Sequence, residues 1–135
     1  MKKRILIVED NSLNSELLRD WLEVEGYEPL VAADLNAAFD AVRTQQLDAV
    51  LLDIQLGTDD GLLLASWMRE QPVPHLIPVI AVTAQAMVTE QRRILEGGCK
   101  SIVPKPIDFA VLQEQLQLCL SRAEALQGNQ LPGKK

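Results

Sequence analysis

Three acids stand directly after two short apolar runs. Glu9 and Asp10 follow Ile5-Leu6-Ile7-Val8, and Asp53 follows Ala49-Val50-Leu51-Leu52. A carboxylate at the end of a buried run is costly unless something pairs with it. Such an aspartate either caps the turn after a strand or serves as nucleophile or metal ligand at the carboxyl edge of a parallel sheet, where open α/β folds place their ligands. Two later apolar runs end in other chemistry: Val79-Ile80-Ala81-Val82 in the hydroxyl of Thr83, and Ser101-Ile102-Val103-Pro104 in the ammonium of Lys105. If the acids converge on one crevice they repel, by about 3 kcal/mol per pair at roughly 5 Å and an effective dielectric near 20. That cluster must protonate or hold a cation. Oxygen-only ligands on a partly open edge suit Mg²⁺. A carboxylate nucleophile, a divalent cation, a hydroxyl donor and an ammonium are the parts needed to receive a phosphoryl group. Taken singly, Thr83 reads as a β-branched strand residue and Lys105 as a solvated lysine. Their joint placement at the ends of successive strands is what favours a site.

The intervening segments read as the helices that would position these groups. Asn11 or Ser12 caps a helix carrying Leu13, Leu17, Leu18, Trp21 and Leu22, and Gly26 stops it. Pro29 to Ala33 is a weaker strand whose proline suggests a sheet edge. Asp34 caps a helix through about Gln45, with Ala37, Ala38, Ala41 and Val42 on its packing side. After Asp48 to Ile54, a loop runs from Gln55 to Asp60, and Gly61 opens a helix that Pro72 must end. A proline-rich connection, containing the single histidine His75, leads to the fourth strand. Ala86 to Glu96 is a helix closed by Gly97-Gly98, in which Met87, Val88 and Ile94 read either as exposed apolar residues that could pair two chains or, equally, as core. Asp108 caps the last helix, with Val111, Leu112, Leu116, Leu118 and Leu120 as apolar contacts. Residues 1–123 read as one domain and 124–135 as a short, polar, frayed tail.

Apolar strands without alternation mean helices on both sheet faces. The expected fold is α/β, a doubly wound five-stranded parallel sheet in the flavodoxin-like order 2-1-3-4-5. The first and third strands are then neighbours at the switch point, which brings Glu9, Asp10 and Asp53 to one crevice. At 135 residues the chain can bury roughly two-thirds of its unfolded surface in a single domain. The net charge of −6 and an aromatic content of 4% argue against direct nucleic-acid binding. No stretch is long enough to insert in a membrane. Cys99 and Cys119 fit no metal spacing and read as small buried or half-buried residues in the reducing compartment of a cytoplasmic protein.

Glu9-Asp10, Asp53, Asp60-Gly61, Thr83-Ala84 and Lys105-Pro106, each after a strand, resemble the receiver domain of two-component response regulators. The resemblance covers about Lys3 to Arg122. Ile5 to Asn11 and Gly97-Gly98-Cys99 look closest to stand-alone receivers of the DivK kind or to receivers of hybrid kinases. It implies that Asp53 accepts a phosphoryl group from a sensor histidine kinase or a histidine phosphotransfer protein. Glu9, Asp10, Asp53 and the backbone carbonyl of Gln55 would surround Mg²⁺, with Mn²⁺ able to substitute. Lys105 would contact the phosphoryl group, and its peptide bond to Pro106 would be cis. Thr83 would carry the change to the face of helix 4, strand 5 and helix 5, where a downstream protein target docks and two chains could pair. Gln55 and Gln85 would tune the lifetime of the aspartyl phosphate. The protein would be a phosphoacceptor switch rather than a turnover enzyme.

Three residues depart from the family pattern. Ile102 stands where many receivers carry a Tyr or Phe that swings with Thr83, so coupling is expected to be muted or carried by the backbone. Gly57 replaces a common proline and should loosen the loop after Asp53. Asp59 replaces an apolar residue and adds charge near the site. Two other classes remain open: a module that docks partners regardless of phosphorylation, and a hydrolase of the haloacid-dehalogenase type, for which the spacing of Glu9-Asp10 is wrong. A flavin or nucleotide module is disfavoured, because Glu9-Asp10 would repel a phosphate after the first strand.

Overall fold

The computed structural model describes residues 2–72, 77–84 and 87–129. In chain order its elements are β1 (Arg4–Val8), α1 (Ser12–Val24), β2 (Glu28–Ala32), α2 (Leu35–Thr44), β3 (Ala49–Asp53), β4 (Gln55–Leu56), β5 (Asp59–Asp60), α3 (Leu62–Glu70), β6 (Val79–Thr83), α4 (Val88–Glu96), β7 (Ser101–Pro104) and α5 (Phe109–Asn129). Five strands form one parallel sheet in the order β2-β1-β3-β6-β7. This is the flavodoxin-like order expected from the alternation of apolar runs and helices. Pro29 lies on the edge strand β2, opposite Ile5.

The sheet separates two apolar layers, and strand parity assigns each residue to one of them. Leu6, Val8, Val50, Leu52, Val79 and Ala81 point toward the layer that includes Ala38, Leu64, Met68 and Ile94 of α2, α3 and α4. Ile5, Ile7, Ala49, Leu51, Ile80, Val82 and Val103 point toward Leu18 and Leu22 of α1 and Leu112 and Leu116 of α5. Every residue of β3 and β6 is buried, which is why those runs are apolar throughout rather than alternating.

The caps follow the sequence. Asn11 accepts from the Asn14 amide at 3.0 Å, Asp34 from Ala37 at 2.8 Å, and Asp108 from Ala110 at 3.0 Å, each satisfying an orphan helix donor. Gln71, the residue before Pro72, is extended and ends α3. Some apolar contacts differ from expectation. Leu13, Leu17, Val111 and Leu118 are exposed, since each helix buries only one stripe, and Ala37 lies outside the stripe of α2. In α4, Ile94 is buried whereas Met87 and Val88 are 74% and 79% exposed. Helix α5 runs on to Asn129, into the segment read as frayed tail. Glu124, Ala125, Leu126 and Gln127 are good helix formers, and no breaker precedes Gly128. His75 and residues 130–135 lie outside the described residues.

The loop after Asp53 also differs. Gln55 pairs with Asp60 and Leu56 with Asp59 in a small antiparallel hairpin. Its two-residue turn is Gly57-Thr58, with Gly57 at φ +61° and no positive φ at Thr58. A glycine in the first central position is what a type II′ hairpin turn requires, and proline cannot adopt that φ. Gly57 therefore gives the loop a defined hairpin where the sequence suggested loosening.

Candidate functional site

Parity builds the site. Glu9, Asp53 and Lys105 continue the alternation of Ile7, Leu51 and Val103, so all three side chains are directed to the same side of the sheet at its carboxyl edge. Lys105 Nζ donates to Glu9 Oε1 at 2.8 Å and to Asp53 Oδ2 at 3.1 Å. The remaining oxygens are also held: the Asn11 amide donates to Glu9 Oε2 at 3.2 Å, and the Gln55 amide to Asp53 Oδ1 at 3.1 Å. Glu9 and Asp53 are 3% and 8% exposed, whereas Asp10, of opposite parity, is exposed. Lys105 is no solvated lysine; it ties the end of β7 to the ends of β1 and β3. The Lys105-Pro106 bond is cis.

The electrostatics follow from this packing. Burial raises the Glu9 pKa above the ordinary carboxylate value, and repulsion by Asp53 adds to it, against the lowering effect of Lys105. Burial alone would lower the Lys105 pKa, but its hydrogen bonds to Glu9 and Asp53 outweigh that and raise it. One oxygen each of Glu9, Asp10 and Asp53 lies within 4.8 Å of the others. Hard carboxylate oxygens on a partly open edge fit Mg²⁺, which keeps several waters and needs few protein ligands.

Of the remaining expected site residues, Thr83 is buried at the end of β6. Its parity, continuing Val79 and Ala81, turns it toward the α4 layer. Ile102 is half-buried against that same layer, so Thr83 and Ile102 share a face that Asp53 and Lys105 do not. Gln85 lies outside the described residues. Asp59 is exposed in β5, on the rim of a hollow of about 220 Å³ that also involves Gln55, Gly57, Asp60 and Arg93.

Two contacts escaped the sequence reading. Gly61 packs so tightly that a Cβ there would stand 2.4 Å from the Asp53 carbonyl oxygen, while its amide donates to Ile54 O at 2.6 Å. Arg93 Nη1 of α4 donates to Asp60 Oδ2 at 3.0 Å. The Asp60-Gly61 pair in the motif was a clue to the first. No local signal marks the second, whose partners are 33 residues apart.

A doubly wound sheet with an acidic notch and a lysine at its switch point defines the class of the protein. The model of the response regulator receiver domain matches residues 5–117, and the chain belongs to that family. It is 40% identical over 123 residues to the polar-differentiation response regulator DivK of Brucella anthropi, covering 91% of this chain and all of that protein. Among solved structures it resembles the receiver domain of a sensor histidine kinase from Pseudomonas aeruginosa with a magnesium ion coordinated in its active-site cleft. That match has a TM-score of 0.82 at 31% identity and covers 90% of this chain and 99% of that one. A CheY-like receiver protein from Methanospirillum hungatei matches with a TM-score of 0.84 at 27% identity over 93% and 98% of the two chains.

Proposed function

We propose that this receiver is a phosphorylation-controlled switch whose acceptor is Asp53. The observation that carries the reading is the convergence of Glu9, Asp53 and Lys105 on one edge, with Asp10 beside them. An Asp53 oxygen attacks the phosphorus of a phosphohistidine or acyl phosphate; the new O–P bond forms as the donor's P–N or P–O bond breaks. Glu9, Asp10, Asp53 and the Gln55 carbonyl would hold Mg²⁺, or Mn²⁺ in its place, and the metal supplies charge neutralisation on the transferring oxygens. Lys105 neutralises another oxygen, and Thr83, whose side chain faces the α4 layer, moves toward the phosphate to hydrogen-bond a third. Donors are a sensor histidine kinase or a phosphotransfer protein of the cytoplasm. Output passes by protein contact through the face of α4, β7 and α5, with no catalytic turnover beyond gain and loss of the phosphoryl group. None of the helices among the described residues is long and apolar enough to cross a membrane.

Intact-mass measurement with acetyl phosphate and Mg²⁺ tests the reading. The expected gain is about 80 Da, one PO₃H unit on the acceptor carboxylate, abolished by chelation and by Asp53→Asn. A gain that survives Asp53→Asn, or no gain with metal and donor present, refutes it.

A further inference from the structure

We propose that Arg93 is a positioning residue: through Asp60 it couples helix α4 to the phosphoacceptor loop. This rests on the phosphoacceptor reading above. The chain of contacts starts at Asp53, whose carbonyl lies against Gly61. The Gly61 amide bonds Ile54 O at 2.6 Å, which closes the loop back onto the end of β3. Asp60, the neighbour of Gly61, uses both carboxylate oxygens. Oδ1 accepts from the Leu62 amide at 3.0 Å and starts α3. Oδ2 accepts from Arg93 at 3.0 Å, while Arg93 Nε also donates to Glu90 within α4 at 3.3 Å. A shift of the loop that carries Asp53 and Gln55 is therefore passed to α4 by a charged contact.

Helix α4 is built to respond. It buries one residue, Ile94. Its C-terminal end is fixed to α3, where Ser66 Oγ donates to Gly97 O at 3.1 Å and Arg69 donates to Glu96 O. A Cβ on Gly98 would stand 2.9 Å from Ala65 O, so that end has no slack. Its N-terminal end has no side-chain cap, and Met87 and Val88 are exposed. A helix pinned at one end and thinly packed at the other pivots at low cost. Arg93 lies in the last turn of α4, next to Ile94 and close to the pinned end, so a small displacement there swings the thinly packed end. A half-exposed ion pair biases an equilibrium only about two- to fivefold, which suffices for an element with so little burial to lose. The contact also offers a route that an aromatic at position 102 would otherwise supply, and position 102 is Ile.

Amide spectra of the full chain, recorded with Mg²⁺ and with or without beryllofluoride, test this. In the wild type, resonances at Thr83 and Lys105 and those from Val88 to Glu96 are expected to move. In Arg93→Ala and Asp60→Asn, the α4 displacements fall at least about twofold while Thr83 and Lys105 respond as before. Asp60→Asn keeps an oxygen for the Leu62 amide, so helix α3 still starts there. Arg93→Lys restores the α4 response. An α4 response in Arg93→Ala equal to wild type overturns the proposal, as does a wild-type α4 that stays still, or an Arg93→Lys that behaves like Arg93→Ala. No movement at Thr83 or Lys105 in the wild type overturns the phosphoacceptor reading itself, and this coupling with it.

Discussion

Replacing Gly61 by alanine isolates a purely steric contact beside the acceptor. Gly61 has φ −59° and ψ −23°, angles open to any residue, so backbone conformation costs nothing. The added Cβ would sit 2.4 Å from Asp53 O and 3.1 Å from both Ile54 Cα and Ile54 O. All three are backbone atoms, and the segment must move as a whole. Overpacking of this kind costs about 1–3 kcal/mol, and weakening the Gly61–Ile54 hydrogen bond about 1 kcal/mol more. Better helix propensity at the start of α3 returns less than about 1 kcal/mol. The expected loss is about 1–4 kcal/mol. At about 2.1 cal/mol/K of unfolding entropy per residue over 135 residues, that lowers Tm by about 4–14 °C. Thermal and urea melts followed by circular dichroism measure it, with Gly26→Ala as comparison. Gly26 has φ +93° and open space around it, so only the strain of about 1–2 kcal/mol applies there. A Gly61→Ala protein within about 0.5 kcal/mol of wild type would refute the close approach on which the loop geometry rests.

Lys105→Met should tighten Mg²⁺ binding in calorimetric titration while abolishing stable phosphorylation. It removes a cation that now holds Glu9 and Asp53, so Kd should fall by at least about fivefold, the value for about 1 kcal/mol at roughly 4 Å even with water-like screening. Weaker Mg²⁺ binding would contradict the geometry. Burial pushes the Cys99 thiol up to about 12 from 9.0. The unfolded chain then ionises this thiol first, so its contribution to stability is complete below pH 9 and is lost as pH rises toward 12, by up to about 1.4 kcal/mol per unit. Urea midpoints across that range should fall less steeply for Cys99→Ala than for wild type; parallel curves would refute the burial effect.

The strands, the caps and the residues of the acidic notch were legible because each depends on local signals: apolar run length, a polar residue before a helix, an acid directly after a strand; the strand order came instead from the short list of topologies with right-handed crossovers. Lys105 was legible in position but not in partner, since its bond to Glu9 spans 96 residues. The β4–β5 hairpin was missed because strands of two residues carry no periodicity, and Gly57-Thr58 is a weaker turn signature than Asn-Gly. Val88 could not be told from core on pattern alone, because Met87 with Ile94 and Val88 with Leu95 both recur at helical spacing although α4 buries only Ile94.

The alternation that places Glu9, Asp53 and Lys105 on one side of the sheet and Thr83 and Ile102 on the other works as a reading frame. Insert one residue ahead of Asp53 in β3 and the carboxylate rotates to the wrong layer, though composition and hydropathy hardly change. Strand length here is thus a chemical specification, and a frameshift within five residues of β3 would silence the notch while leaving a sheet that still folds on paper.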